Sequence, residues 1–310
     1  MTTGTEVFQL EPFLEVERQK VEEALERALG HLVPPLPEDL KDPVSHGVLA
    51  GGKRLRPILC ATSFLTCCEE MLPDTDWSNS VYDLAVCLEL IHAYSLMHDD
   101  LPCMDDAALR RGISTPHTVY GEVVTMRAGM VLIPLAGLQA WKSAGRLGLG
   151  PEGCGSVVRI LSQAAGVEGM VGGQAMDLLG EGRALSREEL DELHRKKTGA
   201  LFRAAARLGA VAAGATGEVE EAFVRYGRAI GLAFQIADDV LDATADATAL
   251  GKNSSDRDLD KSTYVRFLGV EAARKEAEAL IEDSLRALKG VGIVSPPLAA
   301  LAWYMVRRDH

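Results

Sequence analysis

Aromatic residues are scarce. Trp, Tyr and Phe make up 5% of the 310 residues, in a chain that is 47% hydrophobic. Its apolar content rests on alanine and leucine, which favour helix over the β-branched and aromatic surfaces of a sheet. Basic residues are also short, 32 Lys and Arg against 45 Asp and Glu, giving a net charge of −13. That balance excludes general nucleic-acid binding, which requires a broad basic face. An acidic chain that takes an anionic ligand must gather its positive charge locally or recruit it as metal. The six cysteines include no CxxC pair and no cysteine–histidine spacing of a zinc site, so free thiols in a reducing cytosol are expected. No basic residue precedes Arg18 and no apolar leader core is present, so no signal peptide is expected. The longest uncharged apolar stretch, between Arg127 and Lys142, is interrupted by Pro134 and two glycines and falls short of a membrane span. A soluble, cytoplasmic protein with no nucleic-acid partner and no stable membrane insertion is expected.

Helical periodicity fills what remains. Val7 to Leu29 carries Phe13, Val16, Val21, Leu25 and Ala28 at three- and four-residue steps, and Pro34-Pro35-Leu36-Pro37 ends it. Further helices are predicted at 38–50, 55–71, 80–101, 118–145, 153–168, 186–213, 218–243, 263–289 and 297–308. No segment has a strand period. No repeat, low-complexity region or composition shift marks a boundary. The expected fold is therefore all-α, one domain over residues 1–310 built from about ten or more helices.

Two aspartate clusters stand out against these apolar helices. The first is His98-Asp99-Asp100-Leu101-Pro102-Cys103-Met104-Asp105-Asp106, and the second is Gln235-Ile236-Ala237-Asp238-Asp239-Val240-Leu241-Asp242. A solvated acidic face is the plain alternative, but the second cluster sits among Phe234, Ile236, Val240 and Leu241, which should be buried. Buried carboxylates need partners. Carboxylates without thiolates suit a hard cation such as Mg2+, and several such ions suggest a diphosphate between the clusters. Gln235, Asp238 and Asp242 share one helix face. Asp105 lies six residues after Asp99, off its face on an unbroken helix, but Pro102 frees the chain to bring it back.

Cations gather in three places. Gly51-Gly52-Lys53-Arg54-Leu55-Arg56-Pro57 puts three of them after two glycines, and Arg110-Arg111-Gly112 follows the first aspartate cluster. Lys197-Thr198-Gly199 places a glycine inside a predicted helix, a local irregularity with a purpose. Gly172-Gly173-Gln174 with Asp177 is similar in kind. A rival chemistry rests on Glu89/His92 and Asp191/His194, each a carboxylate and an imidazole at i, i+3 as in di-iron bundles. It leaves both aspartate clusters unexplained.

In this order the segments resemble the trans-prenyltransferase family, the isoprenyl diphosphate synthases, and in particular the bacterial farnesyl diphosphate synthase branch. The resemblance runs from about Val44 to Tyr264 through GGKRLRP (51–57), HDDLPCMDDAALRRG (98–112), GGQAMDL (172–178), KTGALF (197–202), FQIADDVLD (234–242), LGK (250–252) and KSTY (261–264). It implies a helical bundle around a central cavity, a homodimer, and Mg2+ ions, three per active site. Asp99, Asp105 and Asp238 would bind them, supported by Asp100 and Asp242. Arg110, Lys197 and Lys252 would hold the allylic diphosphate. Lys53, Arg56, His92 and Arg111 would hold isopentenyl diphosphate, and Thr198 and Gln235 would stabilise the carbocation. Tyr94 and Ser95, about one turn before Asp99, would set product length. Farnesyl diphosphate is the implied product, with geranylgeranyl diphosphate the alternative; a non-catalytic regulatory subunit is the reading from another class. The chain departs from the family pattern at Ala107 and Ala108, where relatives carry acids, at Thr118, and in a loop at 253–260 that is one residue short.

Overall fold

The computed structural model describes residues 8–71, 80–249 and 263–307. Helices occupy nearly all of them, as the composition requires. Two compact units divide the chain, one chiefly Glu11–Leu161 and the other chiefly Ser162–Ala210 with the residues from Gly214 on.

The first unit contains α1 (Leu10–Leu32), α2 (Glu38–Leu49), α3 (Leu55–Met71), α4 (Ser80–Asp99), a hairpin of β1 (Leu109–Arg110) and β2 (Ile113–Ser114), α5 (Pro116–Tyr120) and α6 (Glu122–Arg146), and most of α7 (Pro151–Ala165). Helix α4 is its centre. It is apolar all round, as a helix enclosed by neighbours must be, and packs against α2, α3 and α6. Tyr82 ties it to α1 by donating to Glu17 Oε2 at 2.5 Å. Leu84, Leu88 and Leu90 are fully buried, each burial being worth about 1.5–3 kcal/mol.

The second unit holds α8 (Met170–Gly180), α9 (Arg187–Lys197), α10 (Gly199–Ala212), α11 (Gly217–Ala249), α12 (Tyr264–Leu268), α13 (Val270–Gly290) and α14 (Pro296–Arg307). The long α11 packs on α13 and α14, and the buried Tyr226 hydroxyl donates to Leu298 O at 2.7 Å. A capping box opens α9: Ser186 accepts from the Glu189 N–H, and Glu189 accepts from the Ser186 N–H.

Several predicted boundaries move. The helix predicted over 186–213 is two helices broken at Thr198, and those predicted over 118–145 and 263–289 are interrupted at Gly121 and Gly269. Helix α8 was hidden by Gly172 and Gly173, which lower helix propensity without forbidding it. Helix α4 stops at Asp99, two residues early, because Pro102 cannot continue it. The β1–β2 hairpin is the one departure from the all-helical expectation among the described residues; its pairing is too short to leave a period in the sequence. Helices α4 and α6 are each long and apolar enough to cross a membrane by length and composition, although α4 is mostly buried inside its own unit.

Candidate active site

Where α4 ends, the chain folds back on itself. The Asp105 N–H donates to Asp99 O at 2.8 Å, and the Ala107 N–H to Asp100 O at 3.2 Å. The six-residue separation is thus closed by the turn at Pro102, as the sequence anticipated. Asp99 is half-buried and Asp105 exposed. Asp100 differs from both. It is 2% exposed and accepts from Arg110 Nε at 2.8 Å and Nη2 at 2.5 Å. Asp105 is open to solvent and Asp99 partly so, while Asp100 holds the arginine.

Arg110 is positioned by the hairpin. Leu109 pairs with Ser114 and Arg110 with Ile113, across a turn whose Arg111 and Gly112 both have positive φ (54° and 78°). That combination is the signature of a tight type I′ turn. Arg111 in turn donates through Nη1 to Gly51 O, which brings the second arginine onto the Gly51-Gly52 loop. Lys53 is exposed and Arg56 half-buried. On α4, His92 is held well below the ordinary imidazole range by burial and then by Arg56, Arg111, Arg54 and Arg110. Its protonated form is thus disfavoured by burial and by the positive charge of these arginines. Arg54, Glu89, Asp100, Arg110, Arg111 and Thr115 line a small cavity in the same unit. Tyr94, half-buried, stands edge-on to His98 at 4.9 Å, and its phenol is pushed up by burial and then by Asp99. The Ser95 hydroxyl is spent on His92 O at 2.9 Å.

In the second unit the break at Thr198 is the organising feature. Helix α8 presses on it at Gly173, where an added Cβ would lie 2.1 Å from Lys197 N and 2.5 Å from Lys197 Cα. Any side chain there would displace the backbone that carries Lys197 and Thr198. Lys197 Nζ reaches Asp177 Oδ2 at 2.5 Å. Helix α11 meets the other side of the break: a Cβ at Gly231 would lie 2.8 Å from Gly199 Cα. One turn further along that face comes Gln235, and then Asp238 and Asp242. Gln235 and Asp238 are half-buried and Asp242 exposed.

Two neighbours of these residues carry geometry that motif spacing did not reveal. Asp239 accepts the Tyr264 N–H at 2.7 Å at the start of α12, and burial pushes its carboxyl up to about 6. Burial pulls the His194 imidazole down to about 4, and its ring lies 5.6 Å from that of Tyr264. Arg187 links the set, bonding Asp191 and Glu276 and lying over the Tyr264 ring at 4.8 Å.

The carboxylates of the di-iron alternative have other partners. Glu89 binds Arg54 at 2.5 Å, and Asp191 binds Arg187 at 3.0 Å and the Tyr264 hydroxyl at 2.6 Å. Among the described residues no three His, Cys, Asp or Glu side chains form a ready metal cage. Asp99, Asp105, Asp238 and Asp242 nevertheless offer only carboxylate oxygens, the donor set that a hard cation with retained waters requires. Lys252 and the short loop at 253–260 lie outside the described residues.

The polyprenyl synthetase family profile matches residues 37–291. The farnesyl diphosphate synthase of Escherichia coli (strain K12) is 41% identical over 292 residues, covering 91% of this chain and 95% of that protein. Geranylgeranyl pyrophosphate synthase 12 of Arabidopsis thaliana, chloroplastic, is 40% identical, covering 93% of this chain and 79% of its own length. The crystal structure of a geranyltransferase from Legionella pneumophila superposes with a TM-score of 0.81 at 28% identity, covering 96% of each chain. With the profile running through both aspartate clusters and every cation segment described, this chain belongs to the polyprenyl synthetase family and is a prenyltransferase.

Proposed function

We propose that this protein makes farnesyl diphosphate by Mg2+-dependent head-to-tail condensation of isopentenyl diphosphate with dimethylallyl and then geranyl diphosphate. The observation that carries this reading is the pairing of two anion chemistries in one unit. Exposed or half-exposed carboxylates at Asp99 and Asp105 suit a diphosphate that arrives with metal. The arginines gathered at the Gly51-Gly52 loop and near His92, with Arg111 bonded to Gly51 O, suit one that arrives without it.

Asp99, Asp105 and Asp238 would hold Mg2+, with Asp242 in support. Asp100 supports them indirectly, by fixing Arg110. When bound, the ions supply Lewis-acid stabilisation of the departing diphosphate. Arg110 bonds Asp100 through Nε and Nη2 and presents its remaining Nη1 edge to a phosphate oxygen. Lys197 exchanges Asp177 for phosphate, which its flexible stem permits. Lys53, Arg56, His92 and Arg111 bind isopentenyl diphosphate, and Lys252 adds charge on the allylic side. Thr198, next to Gly199, and Gln235, one turn beyond the Gly231 that packs on it, would stabilise positive charge by their dipoles as it develops. The family match through both units supports reading 1–310 as a single catalytic domain.

Identity does not choose the product, since relatives named for a fifteen-carbon and a twenty-carbon product stand at 41% and 40%. Tyr94 favours the shorter one. Its ring is half-buried on α4, about one turn before Asp99, where a chain growing from the metal-bound end meets the helix. Wild-type enzyme should release farnesyl diphosphate, and Tyr94→Ala should lengthen the main product by at least one five-carbon unit in chromatography of the dephosphorylated alcohols. An active Tyr94→Ala enzyme with the wild-type product would remove the tyrosine from this role.

A homodimer is part of the proposal. Val123, Met126, Met130, Ile133, Leu138 and Trp141 form a stripe along α6, each at least 41% exposed. A stripe of that length on a helix whose other face packs on α4 supports pairing with a second copy. Burial of most of α4 inside its own unit supports a soluble enzyme, and a cytoplasmic one is part of the same proposal.

A further inference from the structure

Lys53, Arg54 and Arg56 look alike in sequence, but their side chains part company. Lys53 is exposed and Arg56 half-buried, whereas Arg54 is 4% exposed. Its guanidinium is engaged on every side. Nε donates to Glu22 Oε1 at 2.7 Å, Nη1 to Glu89 Oε1 at 2.5 Å, and Nη2 to Glu22 Oε2 at 3.2 Å and Val48 O at 3.1 Å. One side chain thereby joins α1 through Glu22, the end of α2 through Val48, and α4 through Glu89.

The backbone at the same residue is unusual. Arg54 has φ 51°, following Gly51 at 74° and Gly52 at 132°. A left-handed conformation is strained for a residue with a Cβ and persists only where its surroundings over-determine it. The four bonds of Arg54 provide that. The turn they fix sends Lys53 outward and Arg54 inward, and sets the register in which Arg56 enters α3. It also sets Arg111, whose guanidinium bonds Gly51 O and lies 2.3 Å from where a Gly52 Cβ would stand.

We propose that Arg54 is a positioning residue for the isopentenyl diphosphate subsite. Through its buried pair with Glu89 it holds the turn that presents Lys53, Arg56 and Arg111, and it does not touch the substrate. The inference rests on the reading of Lys53 and Arg56 as that subsite. Glu89 thereby has a role outside metal binding: it is the counter-ion of the anchor, one helical turn from His92 on the same helix. Lysine cannot replace Arg54, because a point charge with three rotating donors does not reproduce a planar fork that meets two carboxylates and a carbonyl at once.

Steady-state kinetics of Arg54→Lys, with each substrate varied in turn, tests this. The KM for isopentenyl diphosphate should rise about tenfold, while kcat and the allylic KM stay within about twofold. Glu89→Gln should move the same constant in the same direction by less. A merely structural role would lower kcat with the folded fraction and leave both KM values alone. An unchanged KM for isopentenyl diphosphate, or an equal rise in both, would overturn the proposal. If Arg54→Lys does not fold, the neutral pair Arg54→Gln/Glu89→Gln, which leaves no buried charge unpaired at Glu89, is measured against the same criterion. Arg56→Gln run alongside separates the two readings. If it raises this KM and Arg54→Lys does not, only the positioning inference fails; if neither does, the subsite assignment fails first.

Discussion

Asp99→Ala and Asp238→Ala should each lower kcat by roughly a thousandfold, equivalent to about 4 kcal/mol of transition-state stabilisation, the scale expected when a catalytic cation loses a ligand. Stability should not follow. Asp99 is the last residue of α4, where the helix dipole disfavours a negative charge. Asp238 stands beside Asp239 and one turn from Asp242 on α11, three carboxylates that repel one another. These repulsions offset part of what each carboxylate gains from its other contacts, Arg110 among them for Asp99, so the net change in stability should stay within about 1 kcal/mol. The Asp105 turn survives in Asp99→Ala, because it is made by the Asp99 backbone carbonyl. The expected signature is therefore a melting temperature close to wild type with activity nearly abolished. Near-normal turnover in either variant would remove that aspartate from the metal site, and a lost helical circular dichroism signal would mean it is structural.

Gly173→Ala carries the second large expected effect. A methyl group there would sit 2.1 Å from Lys197 N, closer than any Cβ contact, so α8 or the Lys197–Thr198 break must move. A displacement of the order of 1 Å at a positioned catalytic group costs about a hundredfold in rate. The KM for isopentenyl diphosphate should change little, since Lys53 and Arg56 belong to the other unit. Gly30→Ala is the control. That glycine lies within α1 with open space around its Cβ position, and alanine there should be neutral or stabilising. Equal turnover in Gly173→Ala and wild type would show that the break tolerates movement and that its geometry is not what the reaction uses.

The helical class was legible because it rests on composition and on a 3.6-residue period, both of which the chain shows over most of its length. Boundaries were less legible. The break at Thr198 and the fold-back of Asp105 were each signalled by one residue, Gly199 and Pro102, and both signals were read correctly as irregularities. The geometry of the break was not readable, because it depends on Gly173 and Gly231 approaching from other helices. Helix α8 was missed for the converse reason: its two glycines weaken the local signal, and only tertiary packing explains them.

Charge roles divide along the same line. A row of cations after Gly52 announces a binding segment, but nothing in Lys53-Arg54-Leu55-Arg56 says which side chain turns inward. That is decided by Glu22, Val48 and Glu89, up to 35 residues away. The pair Glu89/His92 drew a di-iron reading from its spacing, and Arg54 is what removes it. Asp100 is a similar case. By sequence it is one acid among four; by burial it is the partner of Arg110. Asp239 is set apart from Asp238 and Asp242 by its burial and by the Tyr264 N–H that it accepts.

The central claim is that one chain joins isopentenyl diphosphate to an allylic diphosphate. The most direct measurement incubates the purified protein with radiolabelled isopentenyl diphosphate and dimethylallyl diphosphate, with Mg2+ or with a chelator, and resolves the products by chain length. The account predicts label in farnesyl diphosphate, dependent on the allylic primer and lost when Mg2+ is removed. Label remaining entirely in isopentenyl diphosphate in the presence of Mg2+ and primer would contradict it.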